Sequence, residues 1–173
     1  MTGNRVAIFI DGSNLYKSKE SELPGRKFDY AEFRDLLTGG RDLVRAYYYN
    51  APLDPAYDAH KYKEQQRFLD HLRHLDYFEV KLGKLVRRGT RYVQKGVDVR
   101  LATDMVGFAA ANLYDIAVIV SGDGDFADAV QHVKNLGKHV ENAFFNTGRS
   151  RDLSGKADRF VLLTEEYLEN CLD

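Results

Sequence analysis

Short apolar segments alternate with longer amphipathic segments along most of the chain. Five of the apolar segments are rich in β-branched or aromatic residues, as is typical of strands. We predict strands at 5–11, 43–50, 77–82, 115–120 and 138–145. The first and the fourth are apolar almost throughout, which favours parallel strands that are buried on both faces of a sheet.

The segments between these strands have the features of helices. Asp29 is a suitable N-cap for a helix over 30–38, and Gly39-Gly40 would end that helix. Apolar residues that recur every three or four positions predict further helices. We expect these helices at 56–75, 97–113 and 126–136, followed by a short final helix at 165–172.

Residues 84–95 depart from this alternation. Leu85-Val86 and Tyr92-Val93 flank a turn that contains glycine, which predicts a small hairpin. Elsewhere the alternation predicts an α/β domain with a mostly parallel central sheet and right-handed crossovers. Since no repeat, low-complexity segment or linker interrupts the chain, we expect residues 1–173 to form a single domain.

Two of the predicted strands end in acidic residues. Asp11 follows Val6–Ile10, while Asp123 and Asp125 lie shortly after Ile116–Val120. In open parallel sheets, ligands bind outside the carboxyl ends of the strands, where the strand order reverses. Clustered carboxylates repel one another and rarely occur without a cation, a shared proton or a basic partner. The pattern therefore predicts a cation site that contains these three aspartates.

Two more polar residues are candidates for this site. Asn14 lies three positions after Asp11, in the first turn of the next helix, where its amide can turn back toward the carboxylate. Asp98 lies in the first turn of the helix predicted at 97–113. Both positions also suit a purely structural role, because polar side chains cap helices and carboxylates favour helix N-termini.

Two other acids are less suitable. Asp104 lies about 240° around the helix from Asp98, so the two carboxylates do not share a face. Asp104 could instead pair with a neighbouring cation such as Arg100. Asp128 is expected to face solvent in the first turn of its helix, although it could join a second cation.

The charges are unevenly distributed. The whole chain has a net charge of −1, whereas seven cations and one acid give residues 81–100 a net charge of +6. A basic segment on an acidic body is a candidate contact surface for nucleic acid. It is also typical of a solvated hairpin whose lysines and arginines protect its edges from association.

Length and composition limit the classes of protein that fit. With 173 residues and 44% apolar residues, the chain suits a globular domain. No apolar stretch reaches the roughly 20 residues that span a bilayer, so no membrane partner is expected. The first strand follows the N-terminus too closely for a signal peptide. Cys171 is the only cysteine, so we expect no internal disulfide and a cytoplasmic location.

Three motifs in this order resemble a known family. They are residues 10–16 (IDGSNLY), 95–99 (KGVDV) and 120–126 (VSGDGDF), and residues 157–160 (ADRF) resemble the C-terminal segment of the same family. Over residues 5–168 the chain resembles the NYN domain of the bacterial LabA-like group, a branch of the PIN-like ribonuclease superfamily.

This resemblance implies a PIN-like three-layer fold, an acidic pocket for Mg²⁺ or Mn²⁺, and metal-dependent cleavage of RNA. By position, Asp11, Asp98, Asp123 and Asp125 would form the acidic cluster, and Asn14 would orient a ligand or a metal-bound water. We infer that Lys95 contacts a phosphate. The full set of expected nucleic-acid contacts is Lys95, Arg87, Arg88, Arg91, Arg100 and Ser121.

The chemistry is compatible with this interpretation. Divalent ions held by carboxylates can activate water, neutralise phosphate charge and stabilise the leaving group. We therefore predict a ribonuclease, with an endonuclease favoured and single-stranded RNA as the expected substrate. The oligomeric state is not fixed, and a homodimer is compatible with the sequence.

Two other functions compete with this hypothesis. A phosphatase of the haloacid dehalogenase type requires a second Asp two residues after the first strand's Asp, and that position is Ser13. A catalytically silent module that binds RNA or protein would conserve the same fold. A Walker loop is excluded, because Gly83-Lys84 and Gly155-Lys156 lack the required glycine spacing and the following Ser or Thr.

Overall fold

In residues 4–173, the part of the chain that the computed structural model describes, there are a six-stranded sheet and a two-stranded hairpin. The strands are β1 (Arg5–Asp11), β2 (Asp42–Asn50), β3 (Phe78–Leu82), β4 (Lys84–Arg88), β5 (Arg91–Lys95), β6 (Ile116–Val120), β7 (His139–Phe144) and β8 (Arg159–Leu162). All five predicted strands of the main sheet are confirmed, and the predicted hairpin is formed by β4 and β5.

The main sheet has the order β3-β2-β1-β6-β7-β8, and all its neighbouring strands are parallel. The chain builds outward from β1 through β2 to β3, and it then crosses to the other side of β1 to form β6. The strand order therefore reverses between β1 and β6, where Ile10 is the partner of Val120. This reversal opens a crevice at the carboxyl ends of the two strands, which is where parallel sheets bind ligands.

Helices cover both faces of the sheet. They are α1 (Gly12–Glu22), α2 (Tyr30–Thr38), α3 (Ala59–Arg73), α4 (Val97–Ala110), α5 (Ala127–Asn135) and α6 (Arg151–Lys156). Apolar residues of α1, α2 and α3 form one core with the sheet, and those of α4, α5 and α6 form a second core on the opposite face. The expected three-layer α/β architecture is therefore confirmed. None of the helices in the described residues is long and apolar enough to cross a membrane.

The sequence of β1 explains how it holds both cores. Ile8 and Ile10 point into the core with α1–α3, while Ala7 and Phe9 point into the core with α4–α6. All four residues are buried. A strand covered on both faces needs apolar residues at successive positions, and for this reason β1 does not alternate with polar residues.

The prediction of a helix at 165–172 is wrong. The segment consists of turns and ends in a 3₁₀ turn at Glu169–Cys171. Leu168 and Cys171 are buried, and the backbone N–H of Asp29 donates to the carbonyl oxygen of Cys171 at 2.8 Å. Packing against the start of α2 thus sets the path of this short segment, in which a helix would be marginal on its own.

Other helix boundaries differ by a few residues, and three short elements had no predicted bounds. Asp58 caps α3, so this helix begins at Ala59 rather than at 56. The helix predicted at 97–113 ends at Ala110, because Asn112 adopts a left-handed conformation with φ 54°. The prediction gave no bounds for α1, which follows Asp11, and it missed α6 and β8.

Candidate active site

Asp11 is the last residue of β1 and the N-cap of α1, and only 3% of it is exposed. The Ser121 hydroxyl donates to its Oδ2 at 3.0 Å, and the Asn14 backbone N–H donates to its Oδ1 at 3.4 Å. Burial, with a smaller contribution from Asp98 and Asp123, raises the pKa of Asp11 to about 6 although both hydrogen bonds lower it. The crevice between β1 and β6 therefore contains a fixed and poorly solvated carboxylate.

The side chain of Asn14 joins the two halves of the crevice. Its Oδ1 accepts the backbone N–H of Gly122 at 2.7 Å and lies 3.4 Å from the Ser121 hydroxyl oxygen. This contact ties the first turn of α1 to the loop that leaves β6. Within the described residues the amide nitrogen of Asn14 makes no hydrogen bond, which leaves it available to a ligand.

The loop after β6 presents Asp123. The backbone N–H of Asp123 donates to Ser121 Oγ at 3.1 Å, and its Oδ1 accepts the N–H of Asp125 at 2.9 Å. A Cβ at Gly122 would lie 2.1 Å from the carbonyl oxygen of Gly148, so only glycine fits there. The loop is thus held by its own hydrogen bonds and by close contact with the segment after β7.

Asp98 approaches the same crevice from the first turn of α4. It is exposed and accepts no hydrogen bond from other described residues. Desolvation raises its pKa, and Asp123 and Asp125 raise it further by Coulomb repulsion. Asp11 and Asp98 thus interact with each other and with Asp123, and Asp98 interacts with Asp125 as well.

No basic side chain of residues 4–173 forms an ion pair with any of these four aspartates. Unpaired carboxylates that repel one another are costly to a fold unless a cation or a proton relieves the repulsion. The arrangement is therefore suited to a positively charged ligand.

Sequence comparison assigns the chain to a family. The model of the NYN domain family matches residues 5–164. The chain belongs to the NYN domain family. The Low amplitude and bright protein LabA of Synechococcus elongatus is 30% identical to it over 171 residues, which cover 94% of this chain and 85% of LabA. The resemblance inferred from the three motifs is thus confirmed.

The fold of this NYN domain also occurs in a solved structure. A crystal structure of a protein of unknown function from Vibrio parahaemolyticus is 26% identical and has a TM-score of 0.78. The match covers 99% of this chain and 98% of that chain. The arrangement of sheet and helices is therefore shared along nearly the whole length of both proteins.

The donor chemistry of the NYN domain's acidic crevice fits a hard divalent cation, because Mg²⁺ and Mn²⁺ prefer oxygen ligands. In the described part of the chain, however, no three His, Cys, Asp or Glu side chains are close enough to hold one metal ion. Asp98 and Asp125 are exposed and can change rotamer, whereas Asp11 is fixed. The residues fit a metal by type and charge, and closing around it requires side-chain rotation.

Asp104, one of the two less suitable acids, has partners of its own outside the crevice. Asp104 accepts hydrogen bonds from Lys81 Nζ at 2.8 Å and from the Tyr49 hydroxyl at 2.9 Å. Its partner is therefore Lys81 rather than the suggested Arg100, which donates to the carbonyl oxygen of Leu82 at 3.1 Å. Asp128 is exposed in the first turn of α5, as expected.

The predicted RNA-contacting residues fall into two groups. The first group is exposed, lies on the hairpin or at the start of α4, and consists of Arg87, Arg88, Arg91, Lys95 and Arg100. Ser121 alone forms the second group, because it is fully buried and its hydroxyl is bound to Asp11. The assignment of Ser121 to nucleic-acid binding therefore needs correction: it positions the Asp11 carboxylate.

Sequence reasoning missed two residues that support the site. Asn142 of β7 is fully buried and donates through Nδ2 to the carbonyl oxygens of Ile119 at 3.2 Å and Ser121 at 2.9 Å. The Ser150 backbone N–H donates to the carbonyl oxygen of Gly122 at 3.0 Å. An asparagine within the apolar strand at 138–145 was the available signal for the first, because buried polar side chains need partners.

Proposed function

We propose that this NYN domain is a metal-dependent ribonuclease that hydrolyses phosphodiester bonds of RNA at the acidic crevice. The observation that carries the proposal is the group of four carboxylates, without a paired cation in the described residues, at the reversal of strand order. Membership of the NYN domain family supports a nuclease-type activity. The cationic hairpin that leads into α4 supports a polyanionic substrate.

A divalent ion, when bound, would supply a lowered pKa for water and charge stabilisation at the phosphate. Asp11, Asp98, Asp123 and Asp125 would hold it. Asp11 offers a carboxylate whose position is fixed by Ser121, whereas Asp98 and Asp125 adapt to the ligand because they are exposed. The free amide N–H₂ of Asn14 can donate to a phosphate oxygen or to a water.

The test compares single-stranded and structured RNA with Mn²⁺ or with EDTA. Asp11→Asn and Asp123→Asn keep a side-chain oxygen that can cap their turns, but they remove charge. Both should reduce cleavage by about 100-fold or more, because even outer-shell changes at metal sites cost 10- to 100-fold. Asp128→Asn is the matched control and should cleave like wild type. Equal cleavage by all four proteins, or cleavage that persists in EDTA, contradicts the proposal.

A second candidate function is a silent RNA-binding module with a nuclease-like fold. The separation of the carboxylates favours it, since no three of them converge in the described residues. Calorimetry with Mn²⁺ distinguishes the two functions. The ribonuclease should bind Mn²⁺ and lose this binding in Asp11→Asn, whereas the silent module should bind RNA without binding Mn²⁺ or cleaving.

A further inference from the structure

A cleft of about 430 Å³ lies between the β4–β5 hairpin and the loop that follows β2. The cleft is shallow and largely open to solvent. The lining residues come from two segments, Pro52–Asp54 and Gly83–Val86, together with Tyr92. Because β2 and β3 are parallel to β1, both segments emerge at the carboxyl ends of the strands, as Asp11 does.

Tyr92 lines this cleft, and Tyr57 lies beside Tyr92; both have exposed rings. Tyr57 is 84% exposed and Tyr92 is 38% exposed, and their ring centroids are 6.4 Å apart at an interplanar angle of 60°. Neither ring is packed in the core, although the Tyr92 hydroxyl interacts with the Asp54 carboxylate and lowers the pKa of Asp54. Exposed aromatic rings beside cationic groups are the means by which proteins bind unpaired bases without sequence preference.

The hairpin has more positive charge than its own fold favours. Residues 84–95 contain five lysines or arginines and no acid. Lys84 lies directly opposite Lys95, and Arg88 lies opposite Arg91. Like charges at directly opposed positions destabilise a strand pair. Within residues 4–173 none of these cations forms an ion pair, so a polyanion would relieve the repulsion.

The face of the hairpin that carries Tyr92 also carries a cation, whereas Lys84 belongs to the other face, where its cross-strand partner is Lys95. Arg87 is the cross-strand partner of Tyr92, so both side chains lie on the same face of the hairpin. A base packed against the tyrosine pair would therefore have the Arg87 guanidinium near a flanking phosphate. Arg87 also interacts with the carboxylate of Asp54, which lines the cleft.

The base of the hairpin is fixed relative to the acidic crevice. A Cβ at Gly83 would lie 2.6 Å from Val97 Cγ2 and 2.9 Å from the carbonyl oxygen of Lys95. The two ends of the hairpin are therefore packed against the first turn of α4, which carries Asp98. An RNA strand bound along the hairpin would therefore pass close to the helix turn that carries Asp98.

We propose that this cleft is a subsite for an unpaired nucleotide of single-stranded RNA, with the base packed against the exposed Tyr57–Tyr92 pair and an adjacent phosphate on Arg87. The inference rests on the proposed RNA substrate and adds the subsite that selects unpaired bases. A paired base cannot enter, because both of its faces are already covered by its neighbours in the duplex. The subsite thus gives the domain a preference for single strands over duplex.

The test measures the binding of fluorescein-labelled oligouridine to the Asp11→Asn protein in EDTA, so that cleavage plays no part. Tyr57→Ala and Tyr92→Ala should each weaken binding by about tenfold, the usual scale of one base–aromatic contact. Tyr92→Phe should bind like the parent, because it keeps the ring and loses only the contact of the hydroxyl with Asp54. Tyr77→Ala is the matched control. Tyr77 is 64% exposed, but it precedes the amino end of β3, whereas the cleft lies at the carboxyl end.

An abasic oligonucleotide of the same length separates stacking from damage to the hairpin. The abasic strand should bind more weakly than oligouridine, and the alanine variants should bind it as the parent does. An equal loss for both strands, or no loss for either, overturns the subsite. If the parent binds no RNA at all, the proposed function fails together with the subsite. If the parent binds RNA and the tyrosine substitutions leave its affinity unchanged, the subsite alone fails.

Discussion

Asn14 Oδ1 accepts the backbone N–H of Gly122 at 2.7 Å and thereby connects the start of α1 to the loop after β6. The two partners are 108 residues apart in sequence. Each belongs to a segment that carries an aspartate of the crevice. The separation between Asp11 and Asp123 therefore depends on this one amide as well as on the sheet.

Replacing Asn14 by alanine should destabilise the protein and loosen the crevice together. The change leaves the Gly122 N–H without its partner, which costs about 1–3 kcal/mol for a buried donor. Urea unfolding followed by circular dichroism measures this loss. Asn170→Ala is the control, because Asn170 is exposed in the last 3₁₀ turn. A variant as stable as wild type would show that water or another group satisfies Gly122 equally well.

Asp11 should make the metal-free protein less stable at neutral pH. Its pKa is raised from 3.8 to about 6, so the folded state disfavours the charged form. The stability contribution is therefore greatest below about pH 4, declines between about pH 4 and 6, and is lowest above that range. Asp11→Asn removes this cost. It should raise the free energy of unfolding at pH 8 in EDTA by at most about 3 kcal/mol, and the melting temperature should rise with it.

Added Mn²⁺ should reverse this order. A ligand that binds only the folded state stabilises it, and the neutral variant has lost a carboxylate ligand. Thermal melts with EDTA and with Mn²⁺ give the comparison, with Asp128→Asn as the control at the same net charge. If Asp11→Asn is less stable than wild type in EDTA, then the hydrogen bonds of Asp11 outweigh the cost of burying its charge.

Much of this site could be predicted from the sequence because it follows from strand ends. The apolar run before Asp11 predicts a buried parallel strand, and the carboxyl ends of such strands meet at one edge. The partner of Asp104 was not accessible in this way. Lys81 lies 23 residues away and reaches Asp104 only because β3 and α4 pack together. Local spacing pointed to Arg100, whose guanidinium is held by a backbone carbonyl instead.

The C-terminal segment shows the same limit for secondary structure. Residues 165–172 have helical character, but Leu168 and Cys171 are buried and the chain ends in a bridge between Phe28 and Leu172. Tertiary contacts decide the conformation of so short a segment. Similarly, the burial of Ser121 depends on which groups surround the end of β6, and the motif itself does not contain that information.

The ion pair between Arg5 and Asp115, which lies outside the crevice, should make the stability of the protein depend on pH in the acidic range. The side chain of Arg5 donates to Asp115 from Nε at 3.0 Å and from Nη2 at 2.9 Å. These hydrogen bonds lower the pKa of Asp115 from 3.8 to about 2. The stabilisation is therefore present above about pH 4 and is lost as the pH falls toward 2.

Asp115→Asn should consequently lower the melting temperature at pH 7, and the difference from wild type should shrink below about pH 4. Melts at a series of pH values measure it. Asp128→Asn should show no such pH-dependent difference, because Asp128 forms no ion pair with the described residues. A constant difference for Asp115→Asn at all pH values would mean that lost packing, rather than lost charge, causes the effect.

Arg91→Gln should separate the stability of the hairpin from its affinity for RNA. The change removes the repulsion between Arg91 and the opposed Arg88, which should leave stability equal or raise it by a few tenths of a kcal/mol. If Arg91 contacts a phosphate, the same change should weaken oligouridine binding at low salt. The slope of the logarithm of the association constant against the logarithm of salt concentration is negative, and it should then become shallower by roughly 0.7.

Arg73→Gln is the control for this experiment, because Arg73 ends α3 near the amino end of β3, away from the hairpin. It should leave the slope unchanged. Anisotropy titrations at several salt concentrations, on the Asp11→Asn protein in EDTA, give the slopes. A slope that Arg91→Gln and Arg73→Gln leave equally unchanged would mean that Arg91 makes no phosphate contact. If Arg91→Gln makes the protein more stable but weakens its binding of oligouridine, the charge of Arg91 serves binding at a cost to the stability of the fold.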